Sequence, residues 1–177
     1  MNMNRLATIA LAVSLTWTGA SAFARSAAEW QTITSQSQVS LGQAVEKAAQ
    51  AGGGTVIDIE LDDGDAAQPR YEADVVNAAG ERSEIWVNAV TGAAALHKSK
   101  GKAGNDDVAR MRQARITLAQ AIDTALKSSP GTPVAAELDN HWGTASYDVQ
   151  VLQQDGSIMK IKIDAATGAV LRSKQDR

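Results

Sequence analysis

The side chains of this sequence that could do chemistry are few, and most are carboxylates. Glu60 and Asp62 belong to one alternating stretch, Ile57-Asp58-Ile59-Glu60-Leu61-Asp62, and Glu137 and Asp139 to a second of the same type. Alternation puts each acidic pair on one face of a strand. There it could meet a basic partner or stand as a solvated strand face. Asp62-Asp63-Gly64-Asp65 could offer oxygen ligands to calcium. It lacks the alternating spacing and distal bidentate Glu of an EF-hand loop, so a solvated acidic turn is the simpler reading. The two histidines, His97 and His141, are far apart, and no His-Glu-x-x-His occurs. With no cysteine, thiol catalysis, disulfides and thiolate-bound metals are excluded. Gly52-Gly53-Gly54 follows a helical pattern, the wrong context for a phosphate cradle. No catalytic residue, metal ligand set or cofactor is assigned.

Two tryptophans complete the candidates. Trp86 lies between inward Ile85 and Val87 and should point outward. An outward Trp on a sheet is an anchor, for another part of the chain or for a partner. Trp142, in His141-Trp142-Gly143, is a lid over its own sheet or an exposed contact. The expected partner surface is therefore Trp86, Trp142, Glu60, Asp62, Glu137 and Asp139.

The elements that carry these residues occur twice. Leu41, Ala44, Val45, Ala48 and Ala49 recur as Leu118, Ala121, Ile122, Ala125 and Leu126, at an offset of 77 (118 − 41 = 77). Tyr71, Val75, Gly80, Ile85 and Thr91-Gly92-Ala93 recur as Tyr147, Val151, Gly156, Ile161 and Thr167-Gly168-Ala169, at 76 (147 − 71 = 76). A repeat this long is a duplicated domain, not a solenoid unit. Within each copy, apolar residues at i, i+3, i+4 and i+7 predict one amphipathic helix, capped by Ser40 or Thr117. Alternating strands follow. Tyr71, Ala73 and Val75 face one way, as do Tyr147, Val149 and Val151. Ala79-Gly80 and Asp155-Gly156 read as hairpin turns, and Thr91-Gly92 and Thr167-Gly168 lead into short final strands at 93–96 and 169–172. Each copy is expected to be an α+β unit, one helix on a three- to four-stranded antiparallel sheet.

The expected organisation is a signal peptide at 1–24, a polar lead-in at 25–38, repeat 1 at 39–97, a partly helical linker at 98–115 and repeat 2 at 116–173. Arg5, the apolar run Leu6 to Leu15, and Ala22-Phe23-Ala24 form the signal pattern, cleaved after Ala24. The run is far short of the ~20 residues that span a bilayer, so no stable membrane insertion follows cleavage. The protein is expected to be exported, periplasmic or secreted. Cleavage removes Arg5 and leaves 16 basic residues (17 − 1) against 20 acidic ones. That balance argues against nucleic acid as a partner. The lead-in orders only if Trp30 or Ile33 finds something to pack on.

The second copy resembles the PepSY family nearly throughout. The resemblance rests on Ala121, Ala125, Gly131, Glu137-Leu138-Asp139, Tyr147-Asp148-Val149, Asp155-Gly156 and Asp164-Ala165-Ala166-Thr167-Gly168-Ala169-Val170-Leu171. Copy 1 departs at Asn88, Ala79 and Ala94, where the family pattern has Asp, Asp or Asn, and Val. The resemblance implies domains found in the propeptides of thermolysin-like metallopeptidases and in exported bacterial proteins. They bind or restrain peptidases, or serve as extracytoplasmic interaction and sensing modules, and carry no catalytic residues. The expected function is an exported, non-enzymatic module binding a protein partner, a peptidase or envelope protein. The alternative is a small-ligand or envelope-sensing module with a pocket between helix and sheet or between repeats.

Overall fold

The computed structural model describes residues 25–64, 68–141 and 143–175. The expected signal peptide, Trp142 and Asp65 lie outside them. Four helices and eight strands follow one another as α1 (Ala27–Gln36), α2 (Leu41–Gly52), β1 (Gly54–Asp62), β2 (Arg70–Asn77), β3 (Glu81–Asn88), β4 (Ala94–Lys102), α3 (Asn105–Gln113), α4 (Leu118–Ser128), β5 (Thr132–His141), β6 (Thr144–Leu152), β7 (Ile158–Asp164) and β8 (Val170–Gln175). No helix among the described residues is long and apolar enough to cross a membrane.

Each repeat has the helix and antiparallel strands that its periodicities predict. Ser40 and Thr117 cap α2 and α4 by accepting from the amides of Gln43 and Gln120, whose side chains reach back to the cap amides. Gly53, at φ 63°, ends α2 in the left-handed conformation that glycine adopts without steric cost. The stripe Leu41, Ala44, Val45 and Ala48 is buried, as is Leu118, Ala121, Ile122 and Ala125. Its alanines let the helices lie close on Ile59, Leu61, Val75, Ile85, Val149, Ile161 and Ile163, all at most 1 % exposed. Tyr71 donates its hydroxyl to the carbonyl of Val39 and Tyr147 to that of Ile116, so each tyrosine anchors the entry to its repeat's helix.

The repeats do not form two separate sheets. They share one eight-stranded antiparallel sheet in the order β4-β3-β2-β1-β5-β6-β7-β8. The seam is the β1–β5 ladder, which is three residue pairs long: Asp58 with Glu137, Ile59 with Ala136 and Glu60 with Ala135. Ile59 and Ala136 are equivalent positions of the two copies, so a pseudo-twofold axis passes between them. Sharing the sheet pairs the β1 and β5 edges and leaves β4 and β8 as its outer strands.

The expected linker is shorter than its composition suggests. Lys98, Ser99, Gly101 and Lys102 continue β4 to residue 102, with register shifts on the β3–β4 ladder. Lysines and bulges are the usual features of an edge strand, which explains why this stretch looks unstructured in sequence. The lead-in is helical: Trp30 and Ile33 of α1 are buried, 1 % and 5 % exposed. Helices α1 and α3 are pseudo-equivalent. The chain after α1 hydrogen-bonds the carbonyl of Ala89 through the amides of Gln38 and Val39, and the chain after α3 bonds Ala165 through Arg115 and Ile116.

Candidate functional site

The sheet has an inner face, covered by α2 and α4, and an outer face that carries every candidate residue described. Register across the outer face produces one unbroken row of charged side chains. From edge to edge it runs Lys98, Glu84, Asp74, Asp58, Glu137, Asp148, Lys162 and Arg172. Five successive carboxylates occupy its middle, with cations only at its ends. Like charges directly opposite each other on neighbouring strands are destabilising, so each needs compensation.

Most of the five have it. Asp74, 8 % exposed, accepts from Arg82 and from Lys100, whose ammonium is 2.7 Å away. Glu84 accepts from Lys100 at 2.9 Å and from the indole N–H of Trp86 at 3.0 Å. Burial raises its carboxyl, but these partners outweigh it and hold it below the usual carboxylate range. Asp148 pairs with Lys162 at 2.7 Å. Asp58 and Glu137 remain, side by side across the seam, and no cation among the described residues forms an ion pair with either. Burial, then Glu137, Asp74 and Glu60, push Asp58 up to about 7. Glu137 is open to water on one side, yet it too is raised, by partial burial and by Asp139 and Asp148. Glu60 sits opposite Glu72 and is raised by burial and by that neighbour.

Two helical segments, α3 and the start of α1, are tied to the sheet by arginines. Asp107 of α3, 6 % exposed, binds Arg82 at 3.0 Å and also Arg110. Arg110 donates to the carbonyl of Leu138 at 3.0 Å and lies 3.9 Å from Asp139. This chain of charges joins β3 of repeat 1 to β5 of repeat 2. On the other side Arg25, just before α1, donates to the carbonyl of Leu61 and to Asp62 at 2.6 Å. Leu61 and Leu138 are equivalent positions, so the arginines make equivalent contacts at opposite ends of the face. The start of α1 meets repeat 2, where Ala27 packs so closely on Gly156 that a side chain there would collide. Val76 and Leu152 point outward by register and are nonetheless buried, 3 % and 7 % exposed, consistent with cover from these helices.

The sequence-predicted residues therefore fare differently. Glu60, Asp62, Glu137 and Asp139 lie on one face of the joined sheet, brought together from two repeats. Asp62 is already neutralised by Arg25, with the Gly64 amide donating at 2.8 Å, and despite some burial it is held low by these contacts. Asp139 is within 3.6 Å of Lys162. Glu60 and Glu137 are the pair left open. Among the described residues no group of three or more His, Asp or Glu is arranged to hold a metal ion.

Trp86 points outward, as expected, but its neighbours belong to its own repeat. The Arg70 guanidinium lies 3.8 Å from the ring centroid and the His97 imidazole 3.5 Å from it. Two groups that close must occupy opposite faces of the indole. Only its edge is left for anything else. Asp58, Asp74, Glu72, Glu84 and Asp148, the rest of the acidic band, were not singled out by sequence reasoning. Their signal was present in the outward parity of the strands, but it needed the strand order to become a row.

A hollow of about 580 Å³ lies between the Ser129-Pro130-Gly131 turn and the β6–β7 hairpin, lined also by Gln153, Asp155 and Gln175. It is neither between helix and sheet nor between the repeats. No residue of the acidic band lines it.

The chain is similar to the crystal structure of the "putative lipoprotein (CD1622) from Clostridium difficile 630", at 21 % identity and a TM-score of 0.46, over 79 % of this chain and 95 % of that one. Among curated proteins none matches by sequence. The sequence model of the family described as "Peptidase propeptide and YPEB domain" matches residues 38–94 and again 115–174. One match falls on each half of the shared sheet, the first ending where β4 begins, and the chain belongs to the PepSY family, of which it carries two domains in tandem.

Proposed function

We propose that this protein is an exported, non-catalytic module that binds another protein through the outer face of its sheet, and that the partner is an extracytoplasmic peptidase or envelope protein which it restrains. The observation that carries the reading is the acidic band at the seam. Glu60, Asp58 and Glu137 are adjacent and outward, and among the described residues none of them makes a direct ion pair. A partner that brings lysine or arginine to this band supplies the missing charge. Such complementarity sets partner choice and association rate more than total affinity. Asp62, Asp139 and the part of the Trp86 edge that Glu84 leaves open flank the band and form the rim; the proposal also includes Trp142, which lies outside the described residues.

The test is direct binding to purified secreted metallopeptidases, read as inhibition and as affinity. Glu60→Lys with Glu137→Lys should slow association and weaken binding by about tenfold or more, with a loss of salt dependence. An unaltered association rate in the double variant sinks the surface. Failure to bind or inhibit any such peptidase sinks the restraining role.

A further inference from the structure

The seam that joins the two repeats combines the shortest ladder of the sheet with its least compensated charges. Three residue pairs hold β1 to β5, against seven to nine for β1–β2, β2–β3, β5–β6 and β6–β7. One of those three pairs is Asp58 opposite Glu137. Every element around Asp58 adds charge. Strand β2 contributes Asp74, β1 its own Glu60, and β5 Glu137; Arg82 on β3 opposes them but is held by Asp74 and Asp107. Around Glu137 stand Asp139 on its own strand, Asp148 on β6, Lys162 on β7 and Arg110 on α3. Arg25, at the start of α1, acts on Glu60.

We propose that this seam is a proton-operated joint: a proton held at the Asp58–Glu137 pair keeps the short ladder closed, and its loss favours parting of the two half-sheets.

The direction follows from linkage. In the closed sheet Asp58 keeps its proton until the pH approaches about 7. Once the seam parts, the carboxyl is hydrated and away from Glu137, and its affinity for protons returns toward the ordinary aspartate value. The closed form therefore binds more protons over the interval between. Closure is favoured at mildly acidic pH and progressively disfavoured as the pH rises through neutrality. Asp107 and its two arginines, which tie β3 of repeat 1 to β5 of repeat 2, limit how far the halves separate. The joint opens locally rather than falling apart.

Hydrogen exchange on the full chain tests this. Opening at residues 58–60 and 135–137 is compared between wild type and Asp58→Asn at about pH 5 and about pH 8. The ratio of wild-type to variant opening should rise by about tenfold or more between the two. Residues 71–75, on the β2–β3 ladder, should show no such rise. Glu137→Gln provides a second variant and should reduce the effect by removing the facing charge. A ratio independent of pH overturns the proposal. So does an equal change at residues 71–75, which would report global unfolding.

Discussion

The imidazole of His97 lies flat on the indole of Trp86, ring centroids 3.5 Å apart and planes 8° from parallel. Arg70 covers the opposite face, and Glu84 takes the indole N–H. One tryptophan thus links β2, β3 and β4 on the exposed side of the sheet. Trp86→Ala removes a stacked pair and a cation–π contact and should cost about 1–2 kcal/mol in urea unfolding. Trp86→Lys should cost less. The new ammonium would face Glu72, as Lys162 already faces Asp148 at 2.7 Å in the other repeat. Equal losses in the two variants would refute this reading.

Tyr71 and Tyr147 are the chain's two tyrosines, so tyrosinate absorbance reports them alone. Burial pushes Tyr71 up to about 12 and raises Tyr147 as well. Neither should ionise near the ordinary phenol value while the fold persists. The sign is that of a raised acid: stability is retained at neutral pH and lost as pH climbs toward the folded value. Each Tyr→Phe change should cost about 1 kcal/mol for the hydroxyl bond to Val39 or Ile116. An alkaline titration with a step near the free phenol value in the folded protein would contradict the burial argument.

Arg25 and Asp62 predict behaviour at the acid end. Asp62 is depressed, so its contribution is present at neutral pH and disappears as pH falls through the carboxylate range. Arg25→Ala should lower stability by up to about 1 kcal/mol at neutral pH, since the pair is partly exposed. Its unfolding curve should merge with that of wild type in acid. A difference that persists unchanged at low pH would show that Arg25 acts through packing on Trp30 instead, where its guanidinium lies 5.2 Å from the ring.

Asp107 is the most exacting of the outer charges, because two arginines depend on it. Asp107→Ala leaves both guanidiniums without their shared carboxylate and should cost about 2 kcal/mol or more. Protection of the α3 amides should fall with it. The loss should be smaller in an Arg82→Met background, where the Arg82–Asp107 contact is already absent. Additive losses would show that the three residues do not act as a unit.

Much of this fold is written in the chain's periodicities. The helix stripes, the inward strand residues, the tyrosines and the hairpin glycines can be read twice over. The seam cannot. Ile57-Asp58-Ile59-Glu60 alternates in the same way at a sheet edge or in its middle, and nothing local says that its neighbour is residues 135–137. The acidic pairs Glu60/Asp62 and Glu137/Asp139 were therefore legible as outward residues but not as a single band. Strand β4 was obscured for another reason. Lys98 and Lys100 resemble linker composition until Glu84 and Asp74 are seen beside them. For Trp86, parity gave the direction of the ring, whereas its two covering groups come from strands on either side.

The pairing of Ile59 with its own counterpart Ala136 has a consequence for ancestry. A lone ancestral unit using this edge would have joined a second copy of itself, in a symmetric dimer. Fusion made that encounter intramolecular, so assembly no longer depends on concentration. It also released the halves from identity. Two copies of repeat 1 would set Asp58 against Glu60 on both sides of the axis, four carboxylates in all. Ala135, standing where repeat 1 has Asp58, removes one of the four and leaves the joint asymmetric.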